Sequence, residues 1–157
     1  MTMPPSQPSA APPFTIDTQQ WFRRPIDEVF AFFADAFNLE QITPPWLHFH
    51  VLTPAPIAMQ PGTLIDYKLR LHGIPIRWRS EITAWQPPFF FIDEQRKGPY
   101  RLWHHEHRFE PRDGGTLVTD HVDYRVIGGR LVNRFFVRRD LDRIFAFRHA
   151  AMEKLLS

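Results

Sequence analysis

Apolar and polar residues first alternate, then recur every third or fourth position, then alternate again over some eighty residues before a final helical stretch, and these changes of period divide the chain into elements. "FTIDTQQWF" (14–22) begins in alternation with β-favouring residues and predicts a first strand. In the following "RRPIDEVFAFFADAFNLEQITPP", Pro25 suits a first helical turn and Asp27 and Glu28 suit the positive end of a helix dipole, while Val29, Phe30 and Phe33 form an apolar stripe. A short helix is expected there. Asn38 is placed to cap a second one running to Ile42, where Pro44 and Pro45 stop it. Extended segments then predict strands near 46–53, 63–72, 76–86, 89–97, 100–110 and 116–127, with turns at "PG", "HGIP", "QPP", "KGP" and "PRDGG". Within the fourth strand, Ile76, Trp78, Ser80, Ile82 and Ala84 are expected on one face and Arg77, Arg79, Glu81 and Thr83 on the other. From "GG" (128–129) onward the period becomes helical, and Val137, Leu141, Ile144, Phe145, Ala151, Met152 and Leu155 fall in one arc of a long amphipathic helix. Strand, two short helices, six strands and a terminal helix make an α+β arrangement, with helices on one side of an antiparallel sheet.

The 157 residues suit one domain over 14–157. "MTMPPSQPSAAPP" (1–13) lacks a core-forming face and the basic and apolar regions of a signal peptide, and is expected to be a disordered Pro/Ser/Ala-rich tail. No apolar run reaches spanning length, which predicts a cytoplasmic protein. Lys and Arg exceed Asp and Glu by only 19 to 17, so charge alone suggests no nucleic-acid partner. The absence of cysteine removes disulfides, thiolate metal sites and cysteine nucleophiles. Composition departs from the ordinary in its rings, 15 Phe and 5 Trp, which fill a core or line an apolar pocket.

Chemistry concentrates in "PYRLWHHEHRFEPRDGGTLVTDHVDY" (99–124), which holds four of the eight histidines on a strand pair. Trp103, His105, His107 and Phe109 share a face of the first strand, and Thr116, Val118, Asp120, Val122 and Tyr124 a face of the second. A four-residue connection from Arg112 to Gly115 sets Phe109 opposite Val118 and His107 opposite Asp120; one more loop residue would flip the relation. In the favoured register His107 and Asp120 form a pair that either moves a proton, binds a ligand's polar end, or only satisfies buried polar groups. Arg148 lies about 20° from Val137 on the helical wheel, inside the apolar arc. Its guanidinium must meet Asp120, Glu81, Asp66 or a ligand carboxylate, or bend to water at a cavity mouth.

Other chemistries have weaker signals. His105 and His107 with Asp120 or Glu106 offer metal-ligand residue types, but no third histidine shares the face, and no metal or other cofactor is expected. There is no Gly-x-Ser-x-Gly elbow and no glycine-rich phosphate loop. Arg130, Arg134, Arg138, Arg139 and Arg143, with Phe135, Phe136 and Phe147 partly outside the apolar arc, make a basic face that is either solvated, in transient membrane contact, or part of a homodimer.

The order of elements, with "HGIPIRWRSEITAWQPPFFFIDEQRKGPYRLWHHEHRFEPRDGGTLVTDHVDY", "FNLEQITPPWLHFHVLTP" and "IFAFRHAAMEKLL", resembles the START-like, Bet v 1-like helix-grip (SRPBCC) superfamily. More narrowly it is similar to the bacterial ligand-binding branch grouped with polyketide cyclase/dehydrase proteins. The resemblance implies a curved seven-stranded antiparallel sheet gripping the C-terminal helix, with a cavity between them for an apolar or amphipathic small molecule. Trp78, Trp103, His105, Tyr124, Arg148, Phe145, Phe91 and Tyr67 are the residues expected to bind that ligand. A monomeric or homodimeric binding protein for a lipid or polyketide is the leading expectation, with no nucleic-acid partner. A cyclase/aromatase- or dehydratase-like enzyme using His107 and Asp120 as an acid–base pair is second, and a protein-interaction module third.

Overall fold

The computed structural model describes residues 11–157, so the first ten residues of the expected tail lie outside the described residues. Seven strands form one antiparallel sheet: β1 (Phe14–Phe22), β2 (His50–Val51), β3 (Leu64–Leu71), β4 (Ile74–Gln86), β5 (Phe90–Lys97), β6 (Leu102–Arg112) and β7 (Gly115–Arg125). Their spatial order is β1-β7-β6-β5-β4-β3-β2. The meander runs outward from β7 to β2, and β1 returns to close the other flank. Between β1 and β2 lie α1 (Ile26–Ala34), a 3-10 turn at Ala36–Asn38, α2 (Leu39–Ile42) and a second 3-10 turn at Pro45–Leu47. The chain ends in α3 (Gly129–Val132), a π-helical turn (Asn133–Val137) and α4 (Arg138–Leu156).

Local chemistry accounts for most boundaries. The Pro25 carbonyl accepts from Glu28 and Val29 N–H groups and starts α1, whose Val29 and Phe30 are buried. Asn38 precedes α2 as expected, yet its side chain caps nothing: Nδ2 donates to the Phe32 carbonyl at 2.9 Å and Oδ1 accepts from Gln41 at 2.8 Å. The strand expected over 46–53 shrinks to two residues, because Pro44 and Pro45 open a 3-10 turn that His48 ends at φ 45°. Two hairpins are tighter than the sequence suggested. His72–Gly73 and Asp113–Gly114, all with positive φ, turn the chain in two residues, so β4 begins at Ile74 and β6 runs on to Arg112.

The β6–β7 ladder has the favoured register, with Phe109 opposite Val118 and His107 opposite Asp120. Alternation on β4 holds only as far as Ile82. A bulge between Ile82 and Ala84 then shifts the phase, and Trp85 rather than Ala84 joins the inner packing against Phe30 and Phe91. The terminal helix buries Leu141, Phe145, Met152 and Leu156 as its core row, whereas Leu155 of the expected arc is exposed.

Phe30 stands edge-on to Trp85, Phe91 and Phe109 with ring centroids 5.1–6.0 Å apart, and with Met152 and Leu156 this plugs one end of the space between sheet and α4. A second cluster of Ile16, Val122, Tyr124, Leu141 and Phe145 closes the other side. The volume between the two clusters is where the site lies.

Candidate functional site

β-Strand alternation aims four polar residues from three neighbouring strands at the same spot. Asp93 of β5 pairs with His105 of β6, and His107 of β6 with Asp120 of β7. His105 Nε2 donates to Asp120 Oδ1 at 2.9 Å, and His107 Nε2 to Asp93 Oδ2 at 2.8 Å. His107 Nδ1 also lies 2.8 Å from Asp120 Oδ1, off the line of a good hydrogen bond, so this contact is mainly electrostatic. The two imidazoles lie 3.7 Å apart between ring centroids, and Phe91 stacks on His107 at 4.2 Å.

Charge in this cluster is ordered by its neighbours. Burial works against ionisation of Asp120, but Arg148 and the two imidazoles outweigh it and hold the carboxyl well below the usual carboxylate range. Asp93 is likewise depressed, burial being overcome by the hydrogen bond from His107 and the surrounding positive charge. The histidines split. Burial works against the charged form of His107, but the Asp120 carboxylate beside it and its hydrogen bond to Asp93 outweigh that and raise it, while His105 is lowered by burial and by the charge on His107. An added proton is therefore favoured on His107 over His105. His105 is the neutral ring, with its proton assigned to Nε2 because the facing carboxylate only accepts.

Arg148 reaches the cluster from α4. Its Nη2 stands 3.9 Å from Asp120 Oδ1, its guanidinium carbon lies 5.6 Å from the Phe33 ring centroid, and only 11% of its side chain is exposed. Nε and Nη2 are buried without a hydrogen-bond partner. Of the three carboxylates expected as partners, Asp120 is the one it approaches; Asp66 is paired with Arg79 and Glu81 with Arg96 on the other face of the sheet.

Above this floor opens a cavity of about 200 Å³. At 10–15 Å³ per water-sized position it holds on the order of fifteen ligand non-hydrogen atoms. Its walls include Phe33, Leu39, Ile65, Leu69, Ile82 and Ile144, and its polar end is Asp93, His105, His107 and Arg148. Tyr67, Trp78, Phe91, Trp103 and Phe145 also border it, so seven of the eight residues singled out as ligand-binding, and His107, stand on the cavity. Tyr124 and Asp120 do not. The Tyr124 ring is fully buried in the neighbouring core and its hydroxyl donates to Asn133 Oδ1 at 2.9 Å, while Asp120 lies behind the histidines. Asp93 is the residue the sequence reading missed. Its signal was present, since it is two residues from Phe91 on one strand and must share that residue's face.

Donor atoms of Asp93, His105 and His107 come within 4.8 Å of one another, the residue types of a mixed imidazole–carboxylate centre. They are instead bonded among themselves beside a guanidinium, which opposes a dication, and Glu106 of the earlier candidate set faces away, paired with Arg108.

A family profile, polyketide cyclase/dehydrase and lipid transport, matches residues 23–148. The chain belongs to this family, within the START-like, Bet v 1-like superfamily. Solved structures agree on the fold. Ginseng major latex-like protein 151 from Panax ginseng superposes with a TM-score of 0.69 at 13% identity, covering 94% of this chain and 99% of its own. Protein Ms6760 from Mycobacterium smegmatis gives 0.67 at 20%, covering 90% of each, and Ara h 8.0201 gives 0.68 at 16%, covering 91% and 97%. No curated protein matches in sequence.

Proposed function

We propose that this protein binds an apolar or amphipathic small molecule, such as a lipid or polyketide, between sheet and C-terminal helix, with the ligand's polar end against Arg148 and the Asp–His cluster. One observation carries the reading: apolar walls enclose space for a ligand and end on a buried cation whose hydrogen-bonding capacity is unspent. A guanidinium out of water with free donors is costly, and a ligand oxygen lowers that cost more than any apolar group does. The family's description as cyclases, dehydrases and lipid transporters supports the same reading.

Native mass spectrometry of the purified protein tests it through a co-purified small molecule, and N-phenyl-1-naphthylamine fluorescence through an added one. Absence of both signals removes the binding function. Arg148→Met should keep the apolar probe and weaken an oxygen-bearing ligand about tenfold, the scale of one charged hydrogen bond. Equal binding of both ligands by this variant takes Arg148 out of the site.

A cyclase- or dehydratase-like activity is the second reading, favoured by the two imidazoles that border the cavity, whose surroundings shift their proton affinities in opposite directions. His107 would then act as acid with Asp120 holding its charge, and His105, which borders the cavity as Asp120 does not, offers the base. In that case His107→Gln abolishes turnover and spares ligand affinity; loss of affinity together with turnover assigns His107 to ligand binding rather than to proton transfer.

A further inference from the structure

We propose that the start of the C-terminal helical region, Ile127 to Arg139, is a docking surface for an anionic membrane. Three observations meet there. Ile127, Leu131, Phe135 and Phe136 are each between 55% and 70% exposed, more large apolar surface than a solvated helix start carries without a partner. From Arg125 to Arg139 the chain holds five arginines and no aspartate or glutamate. Arg138 is tied to Asp142 and to the Thr15 carbonyl, but Arg130, Arg134 and Arg139 form no ion pair among the described residues, and Arg134 lies over the Phe135 ring at 5.7 Å.

Apolar side chains flanked by unspent guanidiniums are what an interface of acyl chains and anionic headgroups rewards: rings and aliphatic groups enter the acyl boundary while arginines meet phosphate. A second copy is the poorer partner. Two-fold pairing sets a patch against itself and would oppose arginine to arginine. Nucleic acid answers the charge but leaves Ile127 and Leu131 without a role, since aliphatic groups do not stack on bases.

The position fits a loading route. Phe136 is one helical turn before Asp140, whose carboxylate lies 2.7 Å from His72 Nε2 at the β3–β4 turn. The groove beside that contact is bordered by Leu47, Leu71 and Ile144, which also border the cavity. The surface stands on its own observations, whether or not the cavity is a ligand site.

Vesicle co-sedimentation tests it. The full chain should bind vesicles of phosphatidylcholine with roughly one third phosphatidylglycerol at least about tenfold more tightly than pure phosphatidylcholine, and lose most of that preference in high salt. The paired variants Leu131→Asp/Phe136→Asp and Arg130→Glu/Arg134→Glu change exposed residues and should each lower binding at least about tenfold with the melting temperature unchanged. Lack of preference for the anionic vesicles overturns the proposal, as does binding that survives Leu131→Asp/Phe136→Asp. A dimer that those substitutions dissociate, or tighter capture by a single-stranded oligonucleotide than by vesicles, reassigns the patch and equally overturns it.

Discussion

Asp120 shows how much depends on single residues in this site. It faces His105, His107 and Arg148 together, so replacing its carboxylate strands a guanidinium and an imidazolium out of water. Asp120→Asn should cost about 3 kcal/mol of unfolding free energy in urea, more than removal of any one surface ion pair. The histidines carry opposite pH signatures. His107, raised, contributes stability that is complete below about 6.5 and is lost as pH rises through its folded value. His105, lowered, works in the other direction, and stability falls as pH drops below about 6.5 because the unfolded chain takes the proton first. Asp120, depressed, adds stability above about 3.9 that disappears in acid. NMR titration should place the two imidazoles on opposite sides of 6.5, and His107→Gln should flatten the decline of stability above that pH. Two rings titrating together would refute the assignment.

Among the elements, the legible parts were those where a strict alternation marks one face for burial. β7 reads plainly because Thr116, Val118, Asp120, Val122 and Tyr124 are all buried inward. The β6–β7 register followed from matching Phe109 to Val118, and it delivered the His107–Asp120 pairing with it. What stayed hidden depends on non-local geometry. A bulge leaves no mark in "EITAWQ", so the change of phase at Ala84 was invisible, and Asp93 became meaningful only once β5 was aligned with β6. Trp85→Ala should therefore cost about 3 kcal/mol, whereas Ala84→Ser should stay within roughly 0.5 kcal/mol; chemical denaturation of both variants checks the phase. The short β2 was masked by apolar residues that serve a 3-10 turn instead.

For the whole molecule, two apolar clusters, one of them rich in Phe rings, pack sheet against helix on either side of the cavity. Filling that space tests its use without touching the polar floor. Leu69→Trp adds bulk at the wall, and should abolish N-phenyl-1-naphthylamine binding at a cost of no more than about 3 kcal/mol of stability. No helix among the described residues is long and apolar enough to cross a membrane. The floor also has an arithmetic of its own. Asp93 and Asp120 ionised, with one imidazolium and one guanidinium, sum to zero formal charge. A neutral guest leaves that sum untouched, but a carboxylate guest tips it by one unit unless a hydrogen ion travels in with it, and His105 is the vacant base. Calorimetric heats compared across buffers of differing ionisation enthalpy should then register about one proton absorbed per carboxylate guest and none per neutral analogue.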